Sequence, residues 1–138
     1  MSAGKHLVFV YGTLRRGGVR AMPVLFPGSE FVGRASVRGR LYDFGDYPGL
    51  LLDGAGTPVA GEVYEVGEEV LKELDDIEAP AYYSRREAEV SLGGGGVTCW
   101  VYEPDLSLYP SRTPIPSGDW IEHAEAKAAR PEGNQAHE

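Results

Sequence analysis

The first candidate for chemistry is a short loop that follows the first apolar run of the chain. Residues 7–10 predict a buried strand, and the glycine two residues later marks a tight turn. Backbone N–H groups in such a loop are free of the sheet and, with Arg15 and Arg16 beside them, suit a carboxylate, a phosphate or a polarised carbonyl oxygen. An ordinary polar turn at a strand end is the alternative. The loop residues are Tyr11, Gly12, Thr13 and Leu14.

The second candidate is a single acid at the end of a predicted helix, residues 68–77. At about 100° per residue, the helix's apolar residues share an arc of roughly 120°. These residues are Val70, Leu71, Leu74 and Ile77. Glu78 falls inside this arc, whereas the other acids of the segment fall outside it. An acid directed inward must find a partner, or its pKa rises and it becomes a candidate acid or base. Since Pro80 ends the helix nearby, the alternative is an acid turned back to solvent.

Short strands joined by glycine-rich turns surround these two candidates. The pattern of alternating apolar residues predicts strands over residues 31–44, 59–66, 87–92 and 97–102, a short apolar run over 50–52 and a last helix from 120 to about 130. The segment 22–27 predicts a short helical turn or a covering loop, because it holds two prolines. This arrangement favours an antiparallel sheet or a small barrel.

Composition limits the classes of protein that the chain could be. Its 138 residues suit one domain, over residues 1–130, followed by a disordered tail over 131–138. The net charge of −8 argues against nucleic-acid partners and against adhesion to an anionic membrane. Cys99, the single cysteine, lies in a predicted apolar strand, so we expect it to be a core residue. The three histidines are far apart, so no metal site is expected. A cytoplasmic location is expected, because no signal-like segment is present.

Six short motifs, taken in order, resemble the γ-glutamylcyclotransferase-like family, and in particular the branch that includes γ-glutamylamine cyclotransferases. The resemblance runs from about Val8 to Trp120. The motifs are residues 9–15, 47–50, 74–78, 83–85, 100–102 and 117–120. The resemblance implies an α+β fold, a small mixed β-barrel with short flanking helices.

The resemblance also implies roles for particular residues. In this family the loop equivalent to residues 11–14 binds the γ-glutamyl group through backbone amides, and one glutamate accepts a proton. That glutamate is Glu78 here. Tyr83 and Arg85 are expected close to it, as further substrate-binding residues.

Such a reaction needs few protein groups. The α-amine of a γ-glutamyl group attacks its own δ-carbonyl and releases 5-oxoproline and a free amine or amino acid. Intramolecular attack supplies an effective molarity of roughly 10⁵–10⁸ M, and one carboxylate can accept and return the proton. We expect burial and the nearby Asp75 to raise the pKa of Glu78. We therefore expect a small γ-glutamyl substrate and no cofactor. The alternatives are a non-catalytic small-molecule binding module with the same pocket, and an enzyme that acts on another γ-glutamyl-like acyl group in a biosynthetic deprotection step.

Overall fold

The computed structural model describes residues 5–15 and 21–129. Seven strands and three α-helices make up this part of the chain. The strands are β1 (His6–Val10), β2 (Glu30–Asp43), β3 (Pro48–Leu52), β4 (Thr57–Val66), β5 (Tyr83–Leu92), β6 (Gly95–Pro104) and β7 (Thr113–Pro114). The helices are α1 (Met22–Leu25), α2 (Glu68–Glu78) and α3 (Trp120–Ala129). Arg16 and the predicted tail, residues 131–138, lie outside the described residues, and the prediction of one domain stays a prediction.

Five of the strands close into a mixed barrel. The hydrogen-bonded order is β2, β4, β1, β6 and β5, and β5 returns to pair with β2. The β1–β6 pair is parallel and the other pairs are antiparallel. β3 and β7 pair with the outer end of the long strand β2. The predicted small mixed barrel with short flanking helices is confirmed.

Residues 7–10 of β1 are all apolar because both faces of this strand pack against other parts of the protein. Phe9 points into one core cluster, to which all five barrel strands contribute. Val8 and Val10 point the opposite way, as alternate residues of a strand must. They pack there with residues of α1 and α2 such as Met22 and Leu74. The loop after β1 therefore leaves the sheet between the barrel interior and the helix layer.

α2 buries the face that the apolar pattern predicted, with Leu71 and Leu74 inside and Val70 and Ile77 partly buried. The helix extends one residue beyond the predicted end and includes Glu78. A 3₁₀ turn over Ala79–Ala81 follows.

The hairpin of β5 and β6 is longer than predicted. β5 begins at Tyr83 because the segment after α2 pairs directly with the end of β6. Its turn is formed by Gly93 and Gly94, whose positive φ angles of 59° and 87° suit glycine. Gly95 and Gly96 belong to β6.

α3 begins where the sequence predicted. Asp119 precedes it, and its Oδ1 atom accepts a hydrogen bond from the Glu122 amide at 3.1 Å. Trp120 is buried in the barrel cluster, with Ile121 and Ala124 against it. No helix of the described residues has the length and apolar character that crossing a membrane requires.

Candidate active site

A pocket opens between the loop after β1 and the C-terminal end of α2. Its volume is about 580 Å³, counted out to its open mouth. The residues that line it are Phe9, Tyr11, Gly12, Thr13, Leu14, Tyr47, Pro48, Ile77, Glu78, Ala81, Tyr83 and Tyr102. The two candidates found in the sequence, the loop and Glu78, therefore face the same space.

The loop residues 12–14 offer hydrogen-bond donors at this pocket. The amide of Arg15 donates to the Gly12 carbonyl at 3.0 Å, and the amide of Met22 donates to the Leu14 carbonyl at 2.7 Å. By contrast, the amides of Gly12, Thr13 and Leu14 themselves donate to no acceptor within the described residues. Unpaired donors beside a pocket suit an anionic or polarised oxygen of a ligand.

Close packing fixes the shape of this loop. A Cβ atom on Gly12 would lie 2.6 Å from Cγ of Pro48, a contact that is too short for carbon atoms. Pro48 is held in turn, since its carbonyl accepts the Tyr83 hydroxyl at 2.5 Å. Glycine at position 12 therefore lets the backbone approach the opposite wall of the pocket.

Glu78 is the one carboxylate among the described residues that line the pocket. Its side chain is half-buried. It is placed by the last turn of α2, where Leu74 and Ile77 pack against the helix layer of the barrel. A carboxylate in this position can exchange a proton with a ligand held by the loop.

Neutral tyrosines surround the charge of Glu78. Burial raises the pKa of Tyr11 well above its usual 10, and the charge of Glu78 raises it further. Burial, followed by neighbouring groups that include Glu78, also raises the pKa values of Tyr83, Tyr102 and Tyr109. These phenols therefore stay protonated and act as hydrogen-bond donors, which leaves Glu78 as the proton acceptor of the pocket wall.

Two arginines lie outside the described pocket lining. Arg15 donates from Nη1 to Oδ1 of Asp119 at 2.9 Å, so it ties the loop to the start of α3. Arg85 donates from Nε and Nη2 to the two carboxylate oxygens of Asp75, at 2.8 and 3.0 Å. Nothing in this placement brings Arg85 onto a ligand, and its contact with substrate stays a prediction.

Aromatic residues in the pocket lining and packed against it were missed as site residues from the sequence. Tyr47 lines the pocket, and its hydroxyl lies 3.1 Å from that of Tyr109. Tyr109 stacks on Phe44 with ring centroids 3.9 Å apart. Tyr47 and Tyr102 lie within motifs that carried the family resemblance, and this was the available signal; Tyr109 lies in a segment without a pattern.

Among residues 5–15 and 21–129, no group of three or more His, Cys, Asp or Glu side chains is arranged to hold a metal ion. Cys99 is buried in the barrel, and burial, with a contribution from Glu89, raises the pKa of its thiol to about 11. This confirms the prediction that Cys99 is a core residue. The absence of a cofactor stays a prediction.

Residues 8–122 match the model of the family described as gamma-glutamyl cyclotransferase, AIG2-like. The chain belongs to this family. One relative, a putative gamma-glutamylcyclotransferase of Vibrio cholerae, is 38% identical over 86% of this chain and 97% of its own length. A gamma-glutamylaminecyclotransferase of Bos taurus is 40% identical over 75% of this chain and 67% of its own.

Solved structures of the AIG2-like type agree with the fold. An AIG2-like protein of Mus musculus superposes with a TM-score of 0.69 at 30% identity, over 82% of this chain and 87% of that protein. Together with the relatives, the family match confirms that the chain is a γ-glutamyl cyclotransferase enzyme. It gives no support to the alternative of a non-catalytic binding module.

Proposed function

We propose that Glu78 and the loop over residues 11–14 form the reaction centre of this cyclotransferase, and that the substrate is a small γ-glutamyl amine or γ-glutamyl peptide. The observation that carries this proposal is that the loop amides and the pocket's carboxylate face the same space. Both partners of the reaction, the amine and the carbonyl, belong to the substrate. The protein therefore has to hold a bent substrate and move a proton.

The reaction proceeds in two bond changes. Glu78 takes a proton from the substrate's α-ammonium, and the freed amine attacks the δ-carbonyl to form a five-membered ring. After the attack the ring nitrogen has a second proton to lose. As the bond between the carbonyl carbon and the leaving nitrogen breaks, Glu78 passes the first proton to the leaving nitrogen and then carries the second one from the ring nitrogen to the departing amine. Atoms and charges then balance, with 5-oxoproline and the protonated free amine as products.

The loop amides stabilise negative charge on the substrate. The N–H groups of Gly12, Thr13 and Leu14 can receive either the substrate's α-carboxylate or the oxyanion that forms at the δ-carbon. The neighbouring Tyr11 supports the loop, because its buried hydroxyl donates to the Tyr102 carbonyl at 2.7 Å.

Tyr83 contributes a wall of the pocket. Since its hydroxyl is already bonded to the Pro48 carbonyl, its ring face is what remains for a substrate. Apolar contacts from this ring and from Ile77 suit the methylene groups of a γ-glutamyl chain.

The leaving amine extends along the part of the pocket wall to which Tyr47 contributes. The relatives' names include an enzyme of Niallia circulans that acts on γ-L-glutamyl-butirosin B, 40% identical over 69% of this chain and 64% of its own. The open mouth of the pocket is compatible with leaving amines of different sizes. We therefore propose that the substrates share the γ-glutamyl group and differ in the leaving amine. The cytoplasmic location stays a prediction.

The test is to incubate the protein with a panel of γ-glutamyl dipeptides and γ-glutamyl-ε-lysine and to measure 5-oxoproline by mass spectrometry. We expect release of 5-oxoproline together with an equal amount of free amine from at least one member. Release of glutamate instead would show hydrolysis by water and would contradict ring closure.

A further inference from the structure

An ion pair outside the described pocket lining occupies the turn of α2 that carries Glu78. The guanidinium of Arg85, on β5, binds both carboxylate oxygens of Asp75. Its carbon Cζ also lies 4.3 Å from the ring centroid of Trp100 on β6. Two parallel hydrogen bonds and a stacked ring fix the guanidinium more firmly than a single surface contact would.

A third donor reaches the same carboxylate from the pocket side. The hydroxyl of Tyr102 donates to Oδ1 of Asp75 at 2.6 Å, and Tyr102 is one of the residues that line the pocket. The Tyr102 carbonyl accepts the hydroxyl of Tyr11 at the loop. Asp75 is thus tied to β5, to β6 and, through Tyr102, to the loop that we propose binds the substrate.

The position of Glu78 on its helix makes such a tie necessary. Residues three apart on a helix are neighbours on its surface, roughly 5–6 Å apart at Cβ. Asp75 therefore places a second carboxylate beside Glu78, at the helix end that already carries the negative pole of the helix dipole. The last turn of α2 has no basic residue, so the compensating charge comes from Arg85 on another element.

We propose that the Arg85–Asp75 pair is the positioning element of the catalytic carboxylate. It fixes the last turn of α2 so that Glu78 faces the loop, and it cancels the charge of Asp75 so that Glu78 can ionise and act as a base. The proposal rests on the proposed function, in which Glu78 is that base. It assigns Arg85 a role through Asp75 instead of through contact with substrate.

Other titratable groups around Glu78 come from every element that packs near it. The loop after β1 supplies Tyr11. The other titratable groups lie on the turn before β3, on β5, on β6, on the segment after β6 and on α2 itself. These groups are Tyr47, Tyr83, Arg85, Tyr102, Glu103, Tyr109, Asp75 and Asp76. Glu103 is occupied, since it accepts the Leu52 amide at 2.9 Å. The Arg85–Asp75 pair is therefore the place where single substitutions alter the charge beside Glu78 most directly.

The test is the pH profile of kcat/KM for 5-oxoproline release, measured in the full-length protein. Arg85→Met removes the positive charge beside Asp75 and leaves the neutral Tyr102 hydroxyl as its remaining donor. We therefore expect the acid limb to move up by roughly one pH unit, because the uncompensated negative charge opposes ionisation of Glu78. Asp75→Asn leaves Arg85 unpaired and keeps an acceptor for Tyr102. We expect it to move the limb down by a similar amount.

A conservative variant separates charge from geometry. Arg85→Lys keeps the positive charge but cannot form two parallel hydrogen bonds. We expect its acid limb to stay at the wild-type pH, while kcat falls roughly 10-fold to 100-fold because Glu78 is less well placed. The matched control is the exposed pair Arg40–Asp53, whose variants Arg40→Met and Asp53→Asn should leave the acid limb unchanged.

The outcomes distinguish this inference from the proposed function. If Glu78→Gln is inactive but Arg85→Met and Asp75→Asn move the limb in the same direction, or do not move it, the positioning role is overturned and the base assignment stands. If Glu78→Gln keeps full activity, the base assignment itself fails. Circular dichroism and melting temperatures report whether each variant is folded. If Arg85→Met does not fold, the pH profile and kcat of Arg85→Lys test the positioning role instead.

Discussion

The hydroxyl of Tyr11 joins two strands beneath the loop, because it donates to the Tyr102 carbonyl at 2.7 Å and accepts the Leu50 amide at 3.2 Å. Both bonds are buried. One phenol at the end of β1 thereby fixes the loop against β6 on one side and β3 on the other. This relationship explains why a tyrosine directly precedes the glycine of the loop.

Tyr11→Phe removes both of these hydrogen bonds and keeps the ring. We expect the free energy of unfolding to fall by about 1–3 kcal/mol, because buried polar groups lose their partner. We also expect kcat/KM to fall, since the adjoining loop is less well held. Chemical denaturation and steady-state kinetics measure the two effects. The control is Tyr42→Phe, whose hydroxyl has no hydrogen-bond partner within the described residues; equal losses in both variants would contradict the account.

Gly12→Ala tests the close approach of the loop to Pro48. The added Cβ atom would lie 2.6 Å from a ring carbon of Pro48, so loop or ring must move. We expect kcat/KM to fall roughly 100-fold, the effect of displacing substrate-positioning groups by about 1 Å. Gly28→Ala is the control, because nothing lies within 4 Å of its added Cβ atom. Unchanged kinetics in Gly12→Ala would show that the loop does not position the substrate.

Asp43 ties α3 to the turn that carries Phe44 and Tyr47. Its carboxylate accepts His123 Nε2 at 2.7 Å and Lys127 Nζ at 2.9 Å. Burial raises the pKa of Asp43, but hydrogen bonds from Lys127, His123 and the Gly45 amide together bring it below the usual 3.8. The ionised carboxylate therefore stabilises the fold above that pH, and this contribution is lost as the pH falls through the lowered pKa.

We accordingly expect Asp43→Asn to lower the free energy of unfolding by about 1.5–3 kcal/mol at pH 7, and the difference from wild type to shrink below about pH 4. Denaturant titrations at several pH values measure this. Asp53→Asn, at an exposed pair with Arg40, is the control and should change stability much less. A deficit for Asp43→Asn that stays constant down to pH 2 would argue against ionisation as its cause.

Cys99 and metal ions are not expected to take part in the reaction. Because its pKa is raised to about 11, the buried thiol should react slowly with iodoacetamide at pH 7.5 in the folded protein and rapidly in urea. We expect activity to survive both this treatment and exhaustive chelation. Loss of activity in step with labelling of Cys99, or a loss under chelation that a metal reverses, would require a different mechanism.

The sequence was most informative where a single physical pattern sets the structure. The helical period of residues 68–77 predicted which face of α2 is buried, and hence that Glu78 emerges beside the core. The double-sided burial of β1 explains its unbroken apolar run. The motif order then predicted the barrel, which no local pattern could give, since barrel closure joins strands that are far apart in sequence.

The sequence was least informative about pairings made by long side chains. Local spacing does not reveal that Asp75, on the neighbouring α2, offers Arg85 two acceptors. Contact between Arg85 and the substrate stays a prediction. Arg15 likewise pairs with Asp119, more than a hundred residues later in the chain. β5 began earlier than predicted because its first residues owe their strand conformation to pairing with β6.

The most direct test of the central claim is single-turnover release of 5-oxoproline by wild type and by Glu78→Gln. The substitution removes the proton acceptor and keeps the shape of the side chain, so binding should persist. We predict a loss of at least roughly 100-fold in the rate of ring closure, with substrate affinity by calorimetry within about threefold of wild type. A Glu78→Gln variant that forms 5-oxoproline at the wild-type rate would contradict the account.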